Sequence, residues 1–415
     1  MRTAPRLEDF DPPSFDPFAA MEEWLGGESV EDPYPELSRL RSIGPVHKID
    51  MRTHFNTPPD LLLEGLEKYA VFGYHEVRTV YDTPAVYSSS VLDRTLATYF
   101  GRTVTSMDAP EHTKYRRIFM RAFLPHVVAK WGETLIKPVI DAQIDTFAHR
   151  GRAELVSEFT RPYPFEFLYR HLELPRDQME VFHRLTVGCP LGSLNPERST
   201  EAKNKLAAYY LYRIEKARAQ PGDDLISALV QAEVEGARLP DDAIVSFLRN
   251  LVGAASDTTF RSTGSLLAGL LTHPNQLEDI RRDRSLVPVA IEELLRWEAP
   301  VTFMQRITLC DAELGGVHIP KGSLVEPWNG AANRDPAIFA DPDRYDLHRP
   351  RLKHYAFSSG PHVCIGQHLA KLEMTYALNA LLDRLPRLRL DPDMPPPKVV
   401  GINLRSPTTI HVRFD

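Results

Sequence analysis

Cys364 is the residue of this chain whose setting most favours chemistry. It lies in the segment Phe357-Ser-Ser-Gly360-Pro-His362-Val-Cys364-Ile-Gly366, which leads straight into a stretch read as the last helix. A thiol just before a helix N-terminus meets free N–H groups and the positive end of the dipole. The sequence therefore predicts a lowered thiol pKa and a thiolate. Gly360 permits a tight turn, Gly366 leaves room for a flat group against the backbone, and Phe357 can shield the sulfur from water. A lone cysteine is more often a small buried apolar residue. Here the flanking glycines and His362 tip the reading towards chemistry. Cys189 and Cys310, the other two cysteines, form no Cys-x-x-Cys pair with it, which argues against zinc and disulfide roles.

The loop resembles the haem-ligand signature of the cytochrome P450 superfamily, Phe-x-x-Gly-x-His/Arg-x-Cys-x-Gly, with every fixed position filled. The resemblance implies haem b with Cys364 on its iron, the thiolate pushing electron density onto the metal to favour O–O cleavage. Further segments fit the family in chain order. Asp108-Ala-Pro-Glu-His112-Thr-Lys-Tyr-Arg116 resembles the start of its helix along the haem edge. His112 and Arg116, at i and i+4, share one face and are expected on a haem propionate, with Arg306 and His362 as further propionate ligands. Taken singly, each is an ordinary solvated cation. Glu293-Leu-Leu-Arg296 resembles the Glu-x-x-Arg pair, and Asp341-Pro-Asp-Arg344-Tyr345 the segment that supplies a second arginine. Glu293, Arg296 and Arg344 are expected to hold the fold together near the haem.

Ala254-Ala255-Ser256-Asp257-Thr258-Thr259 resembles the family's oxygen-activation motif. Reducing dioxygen needs protons delivered without flooding the site with water. On the resemblance, Asp257 relays them and Thr258 passes them on, so both are expected catalytic residues, with Ala254 against the cofactor. The plainer reading is a turn whose hydroxyls bond back to i−4 carbonyls. The motif's usual glycine is Ala255 here, so the local opening of the helix is expected to be smaller or differently shaped.

The resemblance also implies a pocket above the haem, lined from Tyr87–Phe100, Thr186–Leu194, Phe247–Ala254, Val301–Met304 and Ile402–Leu404. Leu92, Tyr99, Phe100, Leu191, Leu251, Val301, Phe303 and Ile402 are its expected lining, an apolar one suited to a terpenoid, steroid, fatty-chain or aromatic substrate. The chain carries no flavin or reductase motif. Electrons from NAD(P)H are then expected through a ferredoxin reductase and a ferredoxin, the latter drawn to Lys114, Arg116, Arg117, Arg121 and Lys371.

These residues need elements to place them. The long helix is announced by Leu239-Pro240-Asp241-Asp242 and stopped by His273-Pro274, so about 45–50 Å of helix crosses the fold. It is apolar on most sides and therefore buried, which makes a carboxylate at mid-length unusual. A last helix is predicted over Gln367–Leu385. Helical spacing runs over roughly 108–300, and short strands are expected at Val46–Met51, Tyr69–Phe72, Gly316–Ile319 and Thr409–Phe414. With no repeat and no linker, this is a mainly α chain with a smaller β-rich portion (α+β), drawn from about 40–80, 300–330 and 387–415 and forming one domain over 1–415.

Composition is ordinary for a globular chain, with 43% hydrophobic and 25% charged residues. The net charge of −7 argues against a nucleic-acid binder. No apolar run reaches the length of a membrane span, and the first residues lack the apolar core of a signal peptide, so a cytoplasmic location is expected. Three other readings stay open. A peroxygenase of the same fold would take hydrogen peroxide directly, a haem sensor would bind haem without turnover, and a cysteine hydrolase would need a histidine base beside Cys364.

Overall fold

The ends of the long helix follow from its residues. In a computed structural model, which describes residues 5–8, 15–193, 195–222, 224–234 and 236–415, Pro240 caps the helix in an extended conformation. Asp241 and Asp242 fill the first turn, and the helix runs 32 residues, Asp241–Thr272. The N–H of His273 closes it on the Leu270 carbonyl at 3.1 Å, and Pro274 opens the next helix. Every residue from Thr259 to Leu271 is buried. The helix packs against Pro162–His171, Pro196–Ala219, Val287–Trp297 and Gln367–Arg384. At Gly264 an added Cβ would stand 3.0 Å from Pro407 Cγ, so glycine is what lets the C-terminal loop lie this close. The last helix, Gln367–Arg384, also falls where the sequence puts it.

The main sheet has five strands in the order Val46–Lys48, Lys68–Val71, Leu324–Pro327, Arg306–Thr308, Tyr87–Ser88. Lys68–Val71 and Leu324–Pro327 pair in parallel, Leu324 opposite Lys68, which ties the early strands to the late ones. The other neighbours are antiparallel. A three-stranded sheet joins Arg389–Leu390, His411–Arg413 and Arg152–Glu154.

Several boundaries differ from expectation. The first strand stops at Lys48, because Asp50 caps a short helix, Met51–His54, by accepting from the N–H groups of Arg52 and Thr53. The proline-rich start is more helical than its composition suggests. Pro17 and Pro35 sit in the first turns of Pro17–Trp24 and Tyr34–Ile43, where a missing N–H costs nothing. Arg152–Glu154 places a strand inside the region read as helical, paired with His411–Arg413. Among the described residues no helix is long and apolar enough to cross a membrane.

Candidate functional site

The cysteine loop is shaped by close backbone approaches. Gly360 has φ +66°, and a Cβ there would lie 2.5 Å from the Tyr81 carbonyl oxygen, so the turn demands glycine. The N–H of Cys364 donates to the Phe357 carbonyl at 3.0 Å. The backbone N–H groups of Gly366 and Gln367 point at the sulfur and favour its anion, helped by the charges of Arg116 and Lys371. Even so, burial outweighs them and the thiol lies above its usual value. The lowered pKa expected from the helix terminus is thus corrected for the protein alone: desolvation is the larger effect. Phe357 is half-buried, with Lys371 Nζ 5.1 Å from its ring centroid.

Gly366 is different from Gly360. Its φ is −83°, and a Cβ would meet nothing but Cys364 Sγ at 3.9 Å. Neither backbone conformation nor a protein neighbour requires glycine there.

Beside the loop, four nitrogen-bearing side chains converge. The rings of His112 and His362 lie 4.2 Å apart, centroid to centroid. Arg116 donates to the Val363 carbonyl, and the buried Arg306 donates to the Gln305 carbonyl at 2.7 Å. His362 meets Ser89 Oγ at 3.1 Å, with Asp108 Oδ1 at 3.9 Å. Burial, reinforced by Arg306, His112 and Arg116, drives the His362 imidazole down to about 3. Burial and then Arg116 likewise lower His112. The buried Nε2 of His112 has no hydrogen-bond partner among the described residues. Such a cluster, with the already bonded Asp108 as its one anion among the described residues, is what a dianionic ligand would complete.

The long helix opens at its centre. Ala254 is exposed and Gly253, Ala255 and Thr258 are partly so, while Val252, Ser256 and Thr259 are buried. Exposed residues at the middle of a core helix face an interior space. The Thr258 hydroxyl donates to the Ala254 carbonyl at 2.7 Å, the i−4 bond of the plainer sequence reading. Asp257 accepts from Arg261 Nε at 2.9 Å and from Arg261 Nη2 at 3.3 Å. Arg261 is buried and also binds Glu22 of the helix Pro17–Trp24, with Nη2 to Oε1 at 2.5 Å. Sequence reasoning missed both: Arg261 follows Asp257 at i+4, a spacing that signals an ion pair, whereas nothing local connects Glu22 to either.

Comparison with known proteins matches the family model for cytochrome P450 over residues 197–410. Pulcherriminic acid synthase of Bacillus subtilis (strain 168) is 30% identical over 409 residues, covering 94% of this chain and 97% of that protein. The chain belongs to the cytochrome P450 family. The cytochrome P450 monooxygenase PikC of Streptomyces venezuelae is 32% identical over 375 residues, with 88% of this chain and 87% of that protein covered. Among solved structures, CYP109E1 from Bacillus megaterium in complex with testosterone superposes with a TM-score of 0.81 at 27% identity, covering 92% of this chain and 99% of that one.

The family is one of haem monooxygenases, and the residues of this P450 fit its cofactor. The orphaned His112 nitrogen and the unneutralised arginines suit propionates, the space at Gly366 suits a flat ring, and Cys364 supplies the sulfur.

In this P450 the buried pair Glu293–Arg296 is bidentate, at 2.8 Å for both bonds. The second arginine is Arg349, whose Nε meets Glu293 Oε1 at 3.2 Å. Arg344 is corrected: its side chain is exposed, and only its carbonyl takes part, accepting from Arg296 at 3.1 Å. The turn at Asp341–Arg344 presents carbonyls inward and leaves the inward cation to the residue five places on.

The eight expected lining residues are spread over several packed clusters. Tyr99, Phe100 and Leu251 belong to the main core, Leu92 packs with Leu63 and Leu324, and Leu191 with Met21 and Leu25. Phe303 lies against Trp328 with ring centroids 4.5 Å apart, and Ile402 is fully enclosed in the same cluster. Of the eight, Val301 alone is more than marginally accessible. Leu194, at the end of one expected lining stretch, lies outside the described residues.

Proposed function

We propose that this P450 inserts one atom of dioxygen into an apolar small molecule of terpenoid, steroid, fatty-chain or aromatic type. Its electrons come from NAD(P)H through a ferredoxin reductase and a ferredoxin. The observation that carries the reading is the pairing of Cys364, whose sulfur receives two backbone N–H groups, with the His112, Arg116, Arg306 and His362 group beside it. Bound haem would supply dioxygen activation, with the Cys364 sulfur holding its iron.

The chain's own residues do the rest. The N–H groups of Gly366 and Gln367 hold negative charge on the sulfur. His112, Arg116, Arg306 and His362 hold the propionates and so fix the ring's orientation. Thr258 leaves its bond to Ala254 and turns its hydroxyl into the interior space, and Asp257 passes it protons. His362 is engaged by Ser89 and not by Cys364, which disfavours a hydrolase with a cysteine–histidine pair.

Lys114, Arg117 and Arg121 are exposed, share one face of the helix Glu111–Ala122 and have no ion-pair partner among the described residues. That face suits an acidic ferredoxin. The apolar substrate class is supported by the testosterone bound to the similar CYP109E1.

The deciding measurement is the absorption spectrum of the reduced, carbon-monoxide-treated protein. A strongly red-shifted Soret band, abolished in Cys364→Ser, is expected, and its absence from the parent protein overturns the assignment. A ligand screen for the low-spin to high-spin change then gives the substrate class.

A further inference from the structure

A small cavity of about 20 Å³, room for roughly one water, lies behind the long helix. Phe18, Met21, Glu22, Arg161, Phe165, Val187, Asp257, Phe260 and Arg261 surround it. Most of that wall is apolar, yet it carries two carboxylates and two guanidiniums. A water there has the polar partners that a dry apolar cavity lacks.

The charges are arranged through Arg261. Its Nε and Nη2 face Asp257, at 2.9 and 3.3 Å. Its Nη2 and Nη1 face Glu22, at 2.5 and 3.4 Å. Nη1 also reaches Ser406 Oγ at 3.1 Å and the Leu404 carbonyl at 3.3 Å, so the guanidinium is fully occupied and cannot swing. Arg161 stands over the Phe260 ring at 5.7 Å from its centroid and lines the same cavity. Two acids thus balance two bases around one water-sized space. The Asp257 and Glu22 side chains are 26% and 33% accessible, which leaves both open to water on the far side of the network.

We propose that Glu22 is a positioning residue for Asp257. By sharing Arg261, it keeps the Asp257 carboxylate free enough to take a proton from the cavity water and hand it on. This rests on the proposed relay role of Asp257. Without Glu22, Arg261 would turn its hydrogen bonds and charge wholly to Asp257 and hold that carboxylate in place. The step is a proton transfer only: an O–H bond forms on Asp257 as one breaks in the cavity water, which regains its proton from solvent on the Glu22 side. The helix Pro17–Trp24, far from the cysteine in sequence, is thereby part of the proton inlet.

The test compares Glu22→Gln, Glu22→Asp, Asp257→Asn and the double variant Glu22→Gln/Asp257→Asn as holoenzymes with a ferredoxin donor. In Glu22→Gln, oxygen-dependent product formation should slow about tenfold, the worth of one charge-assisted hydrogen bond. Its solvent deuterium isotope effect should rise, and Glu22→Asp should recover most of the rate. The carbon-monoxide spectrum and the ligand-induced spin change should match the parent. The double variant should be no slower than Asp257→Asn. If Asp257→Asn is slow but Glu22→Gln keeps the parent rate and isotope effect, the Glu22 proposal falls and the Asp257 reading stands. If Asp257→Asn behaves as the parent, the relay reading itself is overturned, and Glu22 with it. Loss of the spectral responses in Glu22→Gln, or no recovery with Glu22→Asp, marks a purely structural role and also overturns the proposal.

Discussion

The His112 ring lies tilted at 37° against His362 with 4.2 Å between ring centroids, and its buried Nε2 has no partner among the described residues. Arg116 and Arg306 complete the group, and burial lowers the pKa of Arg306 against the opposing pull of Tyr81 and Asp108. In the protein alone these buried donors carry a desolvation cost, which a bound anion would offset.

A reversal of sign follows for Arg306→Met. Removing an unpaired buried charge should stabilise the haem-free protein by about 1–2 kcal/mol, while the haem-loaded protein loses a propionate contact and melts lower. Thermal melts of both forms check this. A fall in both, or a rise in both, contradicts the role given to Arg306.

Gly366→Val should fold, because its Cβ meets only Cys364 Sγ at 3.9 Å and its φ is an ordinary −83°. Its haem content should drop severalfold, as the branched side chain takes the space of the ring. The ratio of Soret to protein absorbance after purification is the readout, and full haem content would show that the ring lies elsewhere.

Arg349 and Arg344 should separate cleanly in urea unfolding. Arg349→Ala leaves the buried Glu293 short of a partner, at a cost of about 2–3 kcal/mol. Arg344→Ala removes an exposed side chain and should change stability by less than about 0.5 kcal/mol. Equal losses would restore Arg344 to the network.

Thr258→Ala should retain the ligand-induced spin change, since the hydroxyl is bonded to its own helix at Ala254. Product should fall about tenfold or more, with reducing equivalents diverted to hydrogen peroxide. The measurement is product and peroxide formed per NAD(P)H consumed. An unchanged yield favours the peroxide-using alternative.

Acid should destabilise the fold through His171 and His183, which burial lowers to about 4 and about 3. An ordinary histidine titrates near 6.5, so below that pH the unfolded chain takes up protons that the folded chain refuses. The stability they contribute is complete above pH 6.5 and drains away as pH falls towards these folded values. Melting temperature measured from pH 7 to 4 should decline, and less steeply in His183→Phe. An identical slope in that variant would count against a neutral buried His183.

What could be read from the sequence was whatever is announced locally. Pro240 and His273-Pro274 punctuate the long helix, and Gly360, Cys364 and Gly366 carry their spacing with them. Arg349 was not legible, because motif spacing names the loop and not which of its arginines turns inward. For Cys364 the helix terminus that favours the anion is a local fact, whereas desolvation, the larger effect in the protein alone, depends on the whole surroundings. Three-residue strands such as Arg152–Glu154 are too short to show a period of two. The Glu22–Arg261–Asp257 network joins residues 239 apart, a proximity only the folded chain creates.

The groups that would hold the cofactor sit at positions 112, 116, 306, 362 and 364, brought together only when distant segments close on one another. Occupancy is then linked to the whole tertiary structure by mass action, since a ligand that binds only the finished arrangement draws the population towards it. Cells or expression hosts short of iron or porphyrin should therefore accumulate less of this chain, and lose it sooner to proteases, with no change in its gene.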